Sequence, residues 1–86
     1  MSIAHFVLIR YNYEVIDMFN VICKRLVDLR EEKDLKQKEV AEKLNISQRA
    51  YSHYENGTRA VPIEALSKLA DFYDTSIDYI VGQTKK

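Results

Sequence analysis

The sequence predicts an all-α domain of five helices, preceded by an N-terminal extension, residues 1–18, that is either a β-strand or loose. The chain has 86 residues, a length suited to one domain. Two Gly and one Pro leave room for short connections only, which favours helices joined by tight turns. From Phe19 onward, apolar residues recur at intervals of three and four, the period of an amphipathic helix.

Helix one is predicted from Phe19 to about Lys33, because its apolar residues fall on one stripe. The members of that stripe are Phe19, Ile22, Leu26 and Leu29. Helix two is a shorter segment, Gln37–Leu44, with charged residues on its outer side. Its inner face consists of Val40, Ala41 and Leu44. Both helices should therefore contribute one apolar face to a shared core.

Helix three is predicted between Ser47 and Gly57, after an interruption of a few residues. The hydroxyl of Ser47 can accept a hydrogen bond from an amide of the first turn, as an N-cap does. Asn56 and Gly57 tolerate the left-handed backbone that ends a helix. The inner face is Ala50, Tyr51 and Tyr54. We therefore expect both tyrosines to lie in the core.

Two further helices follow. Pro62 at the first position of helix four has no amide hydrogen to leave unpaired. The inner face of helix four is Ile63, Leu66, Leu69, Ala70 and Tyr73. Thr75 and Asp78 have the spacing of a capping box, which predicts a fifth helix that ends at Gly82. Its apolar residues are Ile77, Ile80 and Val81. The domain proper should span residues 19–82, and residues 83–86 form a tail.

The N-terminal extension has a different pattern. Tyr11, Tyr13 and Val15 alternate with polar residues, as in a half-buried strand. A single strand is unstable alone, so it would pair with the same strand of a second chain, pack on helix one, or remain loose. The sequence leaves these three possibilities open.

The distribution of charge matters more than its sum. Thirteen basic and thirteen acidic residues cancel, so the chain lacks the overall positive charge typical of nucleic-acid binding. Between Lys36 and Arg59, however, five basic residues stand against three acidic ones. Phosphates respond to charges within about 10 Å at moderate salt. This local excess is therefore compatible with a DNA contact.

Metal, cofactor and membrane sites are not predicted. His5, Cys23 and His53 are far apart in the sequence, and no cysteine pair has ligand spacing. No glycine-rich phosphate loop is present, so we expect no cofactor. Cys23 is the single cysteine and is expected to act as a small buried hydrophobe. The longest apolar stretch, Phe6–Ile9, is too short to span a membrane, so a cytoplasmic location is expected.

Catalysis is not expected either. Ser52, His53 and Glu55 contain the residue types of a hydrolytic triad. Helix neighbours point about 100° apart, so a nucleophile and a base on adjacent residues cannot meet. The chain is therefore not expected to be an enzyme.

The segment from Gln37 to Gly57 consists of two short helices joined by a turn. In such a unit, the first helix braces against the DNA backbone through its N-terminal amides. The second helix lies in the major groove, which is about 12 Å wide. Ala41 is small at the point where the two helices must approach each other. The segment therefore predicts a helix-turn-helix.

The segment resembles the Cro/CI or XRE family of helix-turn-helix repressors. The likeness rests on Arg30, Gln37 and Ala41, on the tail Ser52-x-Tyr54-Glu55-Asn56-Gly57, and on Pro62. It covers about Phe19 to Gly82 and implies a five-helix lambda-repressor-like DNA-binding domain. Two positions depart from the family pattern: Lys36 replaces the usual Thr or Ser cap of helix two, and Lys33-Asp34 lacks the frequent glycine.

The resemblance implies roles for individual residues. The residues implied to bind the DNA backbone are Lys36, Gln37, Lys38, Asn56, Thr58 and Arg59. The residues implied to read bases in the groove are Gln48, Arg49, Ser52 and His53. Arg30 and Glu55 match a structural ion pair between helices one and three. A plainer alternative is that Gln48, Arg49 and His53 are ordinary solvated surface residues.

The resulting prediction is a regulator of transcription that acts as a repressor by binding a double-stranded DNA operator. A homodimer on a pseudo-palindromic site is expected, since a two-fold protein matches two half-sites. The alternative is an antitoxin-like or adaptor module on the same fold, whose chief partner is another protein. Neutral net charge and the unassigned extension favour that alternative.

Overall fold

The computed structural model describes the backbone of residues 3–83 and the side chains of residues 18–83. Its helices are α1 (Ile3–Glu32), α2 (Gln37–Leu44), α3 (Gln48–Asn56), α4 (Ile63–Phe72) and α5 (Ile77–Ile80). No strand occurs within the described part of the chain. The all-α class and the order of five helices are thus confirmed.

The prediction for the N-terminal extension was wrong. From Ile3 onward its backbone is helical and continuous with the next segment, so α1 begins at Ile3 rather than at Phe19. A helix that already exists grows by one hydrogen bond per added residue, whereas a single strand has no partner for its backbone. The alternation of Tyr11, Tyr13 and Val15 was too short to distinguish a strand from a helix. The described backbone therefore has no boundary at residue 18.

The core lies where all five helices meet. Its members from α1 are Ile22, Leu26 and Leu29, as the apolar stripe of helix one predicted. Its other members are Val40, Ala41, Leu44, Tyr51, Tyr54, Leu66, Leu69, Ala70, Tyr73 and Ile80. Phe19 was expected on the same stripe but is 41% exposed. It lies one turn before Ile22, which is the first buried residue among the described side chains of α1.

The connection between α1 and α2 has an aspartate where the family pattern frequently has a glycine. Asp34 adopts a left-handed backbone with φ 56°, a conformation that Asp and Asn adopt at lower cost than most residues. Lys36 precedes α2 in the N-cap position and its ammonium has no acceptor atom, so the predicted absence of a side-chain cap is confirmed. Glu39 partly compensates, because its Oε1 accepts from the Lys36 amide at 3.0 Å.

Both ends of α3 match the prediction. The Ser47 hydroxyl accepts a hydrogen bond from the Ala50 amide at 3.0 Å. Gly57 ends the helix with φ 77°, which L-amino acids with a side chain adopt rarely. A Cβ at position 57 would also lie 3.1 Å from the Cys23 sulfur on α1. The end of α3 is therefore held closely against α1.

The last two helices begin one residue away from the predicted positions. Pro62 is the N-cap of α4 rather than its first residue. The cap of α5 is Ser76, whose hydroxyl accepts from the Tyr79 amide at 3.0 Å, and not Thr75. The capping residue was therefore predicted one position too early. On α1, Arg25 donates to the Tyr79 carbonyl at 2.8 Å and lies 4.1 Å from the centre of the Tyr79 ring.

None of the helices in the described part of the chain has the length and apolar content needed to cross a membrane.

Candidate nucleic-acid interface

The helices α2 and α3 are joined by a tight turn. Asn45 ends α2 in a left-handed conformation with φ 57°. The Ile46 amide then donates to the Ala41 carbonyl at 3.0 Å, which closes the turn. Ala41 is almost completely buried, as expected for a small residue at a close approach of helices. The turn and this contact fix α3 relative to α2.

The two faces of α3 differ sharply in exposure. Tyr51 and Tyr54 are buried in the core, as predicted. Gln48 and Arg49 are exposed, and Ser52 and His53 are half-buried. These four predicted base-reading residues line one shallow depression that is open to solvent, and Gln37 of α2 contributes to it. The structure thus brings all four predicted reading residues together on one open surface.

Beneath this surface lies the predicted ion pair. Arg30 Nε donates to Glu55 Oε2 at 2.7 Å, and Arg30 Nη2 donates to Glu55 Oε1 at 3.0 Å, so the contact is bidentate. The Glu55 side chain is only 3% exposed and that of Arg30 is 17% exposed. Arg30 Nη1 also donates to the Leu35 carbonyl at 3.0 Å. This pair ties α1 to α3 and to the turn before α2.

Gln37 takes part in the same network. Its Nε2 donates to Glu55 Oε1 at 3.0 Å, so one carboxylate holds side chains from α1 and α2. Gln37 was predicted to contact phosphate, and sequence reasoning missed this second contact. The residue is the first of α2 and also borders the depression on α3. The bond to Glu55 therefore sets the orientation of its amide.

The buried network changes the ionisation of its members. Burial by itself would raise the pKa of Glu55, but hydrogen bonds from Arg30 and Gln37 outweigh burial and lower it. The Tyr51 hydroxyl approaches the same carboxylate without reaching good hydrogen-bond geometry. Burial, and then the Glu55 charge, raise the pKa of Tyr51 and raise that of Tyr73 to about 12. Glu55 is therefore held as a carboxylate, and both phenols remain neutral.

The predicted backbone-binding residues lie at both ends of this unit. Lys36 and Lys38 are exposed at the N-terminus of α2. Asn56, Thr58 and Arg59 are exposed at and after the C-terminus of α3. The carbonyl of His53 accepts hydrogen bonds from the amides of Thr58 at 3.1 Å and Arg59 at 3.3 Å, so the loop is anchored to the helix.

One side-chain contact in this loop was not predicted. Nδ1 of His53 and the Thr58 hydroxyl oxygen are 2.6 Å apart. The two residues are separated by five positions, across the reversal at Gly57, so helix periodicity does not reveal the contact. The left-handed glycine after α3 was the available signal, because it turns the loop back toward the last turn.

The side chains that resemble a hydrolytic triad have separate partners. The Ser52 hydroxyl accepts from Asn56 Nδ2 at 3.4 Å, and Glu55 is held by Arg30. His53 contacts Thr58 instead of Ser52. Among the residues whose side chains are described, no group of three or more His, Cys, Asp or Glu has the arrangement of a metal site.

Comparisons with known proteins agree with this architecture. Residues 26–80 match the family model described as Helix-turn-helix. A crystal structure of a transcriptional regulator from Listeria innocua is similar, with a TM-score of 0.69 and 34% sequence identity. The similarity covers 76% of this chain and 61% of that one.

Curated relatives carry related descriptions. The chain is 40% identical over 62 residues to the uncharacterized HTH-type transcriptional regulator YobD of Bacillus subtilis, which is 72% of this chain and 55% of YobD. It is 38% identical over 61 residues to the cryptic phage CTXphi transcriptional repressor RstR of Vibrio cholerae, covering 71% and 55%. It is 37% identical over 65 residues to the antitoxin PezA of Streptococcus pneumoniae, covering 76% and 41%.

The chain spans about half the length of the curated relatives it matches. The matched region contains the buried network and the open face of α3, and the family model covers well over half of the sequence. The chain therefore belongs to the XRE-type helix-turn-helix family of DNA-binding transcriptional regulators.

Proposed function

We propose that this chain represses transcription by binding double-stranded DNA with α3 in the major groove. The observation that carries the proposal is the division of α3 into a buried face and an open one. Tyr51 fixes the helix in the core, while Gln48 and Arg49 project into solvent. A groove about 12 Å wide accepts a helix presented in this way.

The two ends of the unit would position α3 on the phosphates. Lys36 and Lys38 lie exposed at the start of α2, and Arg59 lies exposed beyond α3, so cations stand at both ends of the two-helix unit. Gln37 adds an oriented amide and Asn56 a neutral donor, and Thr58 lies in the loop between Asn56 and Arg59. Such contacts set the orientation on the duplex without selecting a sequence.

Sequence selection would come from the open face. Arg49 can bind guanine O6 and N7 through two hydrogen bonds, and Gln48 can bind adenine N6 and N7 in the same manner. Each such pair contributes about 1–3 kcal/mol of discrimination against the wrong base. We assign Ser52 and His53 to the same surface, because they border the same depression.

We further propose a homodimer on a pseudo-palindromic operator. A single domain of this size inserts one helix, so two copies related by a two-fold axis would occupy two half-sites about 34 Å apart. Repression is proposed because the relative RstR is described as a transcriptional repressor.

A second candidate function is that of an antitoxin-like protein whose main partner is another polypeptide. The similarity to antitoxin PezA supports it, as does the formal net charge of zero. In that case the open face of α3 would contribute little to affinity for DNA. DNA binding and protein binding therefore make different demands on the same residues.

Selection of bound duplexes from a random pool tests the proposal. Enrichment of a two-fold symmetric sequence is expected. Arg49→Ala should relax the preference at one base pair per half-site, whereas Gln37→Ala should weaken binding to all sequences alike. Lys68→Ala, which removes an exposed charge from α4, serves as the control.

Two outcomes would contradict the proposal. Absence of any enriched duplex at low salt would favour the antitoxin-like alternative. An equal loss of affinity for all duplexes in Arg49→Ala would remove that residue from base reading.

A further inference from the structure

His53, near the end of α3, contacts the hydroxyl of Thr58 in the loop that follows. The Thr58 oxygen lies 2.6 Å from His53 Nδ1 and 3.4 Å from the His53 carbonyl oxygen. The hydroxyl has one proton and can donate it to only one of these two acceptors. A neutral imidazole has one N–H, so this choice decides which ring nitrogen of His53 carries the proton.

The carbonyl oxygen is already occupied. It accepts hydrogen bonds from the amides of Gly57, Thr58 and Arg59. Because a carbonyl has two lone pairs, a fourth donor at 3.4 Å would gain little. Hydroxyl donors typically lie about 2.7 Å from their acceptors and N–H donors about 2.9 Å. The separation of 2.6 Å therefore fits a bond in which Thr58 donates to Nδ1.

We infer that Thr58 holds His53 in the tautomer protonated on Nε2, so that His53 presents a hydrogen-bond donor to DNA. The acceptor would be a purine N7 in the groove, or a phosphate oxygen beside it. This inference rests on the proposed function and specifies the chemistry of one residue of its reading surface. Thr58 is thereby a positioning residue as well as part of the loop.

The surroundings of His53 agree with a donor. Nε2 is the ring nitrogen farther from the backbone, and it has no hydrogen-bond partner among the residues whose side chains are described. His53 shares one depression with Gln48 and Arg49 and a second with Arg49 and Arg59. Arginine side chains have donors only. This end of α3 therefore favours acceptor atoms of the DNA. An unprotonated Nε2 would instead accept a hydrogen bond from the amino group of adenine or cytosine.

The tautomer can be measured in the free 86-residue chain by long-range ¹H–¹⁵N correlation at alkaline pH. His5 is the other histidine, and a His5→Gln variant assigns the signals. We expect His53 in a single tautomer with its proton on Nε2 and with the ¹⁵N shift of a hydrogen-bonded acceptor at Nδ1. Thr58→Val should abolish that shift and mix the tautomers, and Thr58→Ser should restore both. A proton on Nδ1 in the wild-type chain would overturn the inference.

The contact with DNA is tested on the duplex that the wild-type chain selects from a random pool. His53→Ala should weaken binding about three- to tenfold for each half-site, the effect of one hydrogen bond. Replacing the contacted purine by its 7-deaza analogue should weaken wild type by a similar factor and leave His53→Ala unaffected. If a phosphate is the acceptor, a methylphosphonate at that position should instead weaken wild type and leave His53→Ala unaffected. Thr75→Val, which removes a hydroxyl near α5, should bind as wild type does.

Together, the NMR and binding experiments distinguish failure of the inference about His53 from failure of the proposed function. If both modified duplexes weaken wild type and His53→Ala equally, His53 is not the donor although the chain binds DNA. If the pool yields no enriched duplex, the proposed function fails and the reading role of His53 fails with it. In that case the NMR measurement still decides whether Thr58 fixes the tautomer.

Discussion

The carboxylate of Glu55 is a single group on which three helices converge. It accepts from Arg30 of α1 and from Gln37 of α2, and it belongs to α3. A buried charge without partners would be very unfavourable, so each partner offsets part of its desolvation. The pair of Arg30 and Glu55 therefore has its main effect on the relative placement of helices, and its effect on stability is seen when one member is removed.

Replacing Glu55 by Gln keeps the shape of the side chain and removes its charge. Arg30 then remains largely buried without a counter-ion, so unfolding should become easier by about 3 kcal/mol. Urea denaturation monitored by circular dichroism measures this difference. Glu42→Gln, on the exposed side of α2, should change stability by less than about 0.5 kcal/mol. Equal effects of the two variants would show that the pair is not structurally important.

Stability should also fall in acid because of Glu55. The folded state holds the pKa of Glu55 below its ordinary value of 4.5. The charged form is therefore favoured by folding, and its contribution is complete above pH 4.5. That contribution is lost as the pH falls through the lower, folded-state pKa. Urea midpoints measured between pH 7 and pH 3 should decline less in Glu55→Gln than in wild type, and parallel curves would contradict this origin.

The residues of the candidate site differ in how far their sequence revealed them. The pairing of Arg30 with Glu55 followed from resemblance to a family, and the exposure of Gln48 and Arg49 followed from helix period. The hydrogen bond from Gln37 to Glu55 and the one between His53 and Thr58 were not predicted from the sequence. Both connect different elements, so their formation depends on distances that a periodic pattern does not contain.

At the scale of elements, short turns with left-handed residues link the helices. Asp34 follows α1, Asn45 follows α2 and Asp74 follows α4, and all three have positive φ. Gly57 does the same after α3. The sequence indicates the last of these directly, because glycine has a strong preference for such positions. The aspartates give a weaker signal, since Asp is also common inside turns of other types and at N-caps.

Asp34→Gly should stabilise the protein by up to about 1 kcal/mol, because glycine adopts a left-handed backbone without the steric penalty of a Cβ. Lys68→Gly inside α4 provides the opposite control and should destabilise by about 0.7 kcal/mol. Thermal denaturation of both variants beside wild type gives the comparison. A loss of stability in Asp34→Gly would indicate that its side chain has a role beyond the turn.

Arg25 should be important for the attachment of α5. It donates to the Tyr79 carbonyl and lies over the Tyr79 ring, so it joins a helix of four residues to α1. Arg25→Ala should reduce hydrogen-exchange protection of the Ile80 and Val81 amides more than that of Tyr51. Lys24→Ala removes an exposed pair with Asp28 and should leave protection unchanged. Uniform loss across all helices would place the effect in the core instead.

The sequence predicted five helices and most of their ends, but it failed at the N-terminus. Within residues 19–82 the hydrophobic period and the caps predicted the ends of the helices to within one or two residues. Two residues of the predicted inner faces are exposed instead, Phe19 at 41% and Ile63, the first residue of α4, at 66%. Before residue 19, a pattern of five residues competed with helix growth from α1, and growth prevailed. The choice of Ser76 over Thr75 likewise depended on backbone angles.

At the scale of the whole molecule, the net charge of zero conceals an uneven surface. The cations proposed to meet phosphate, Lys36, Lys38 and Arg59, lie exposed at the start of α2 and beyond the end of α3. Three neutralised phosphates per domain, six in the proposed homodimer, would give a slope of about −5.4 in log affinity of the dimer against log salt. Arg59→Ala should reduce the magnitude of that slope by about 1.8, or about 0.9 for each copy. Binding isotherms at several salt concentrations measure both, and a slope near zero would exclude phosphate contacts.

The shared carboxylate of Glu55 also has a thermodynamic consequence for the proposed binding to DNA. Because Glu55 joins α2 and α3 in the free protein, little conformational entropy should be lost when the complex with DNA forms. The heat-capacity change on complex formation should then follow from the buried contact area alone, without the large additional decrease that accompanies coupled folding.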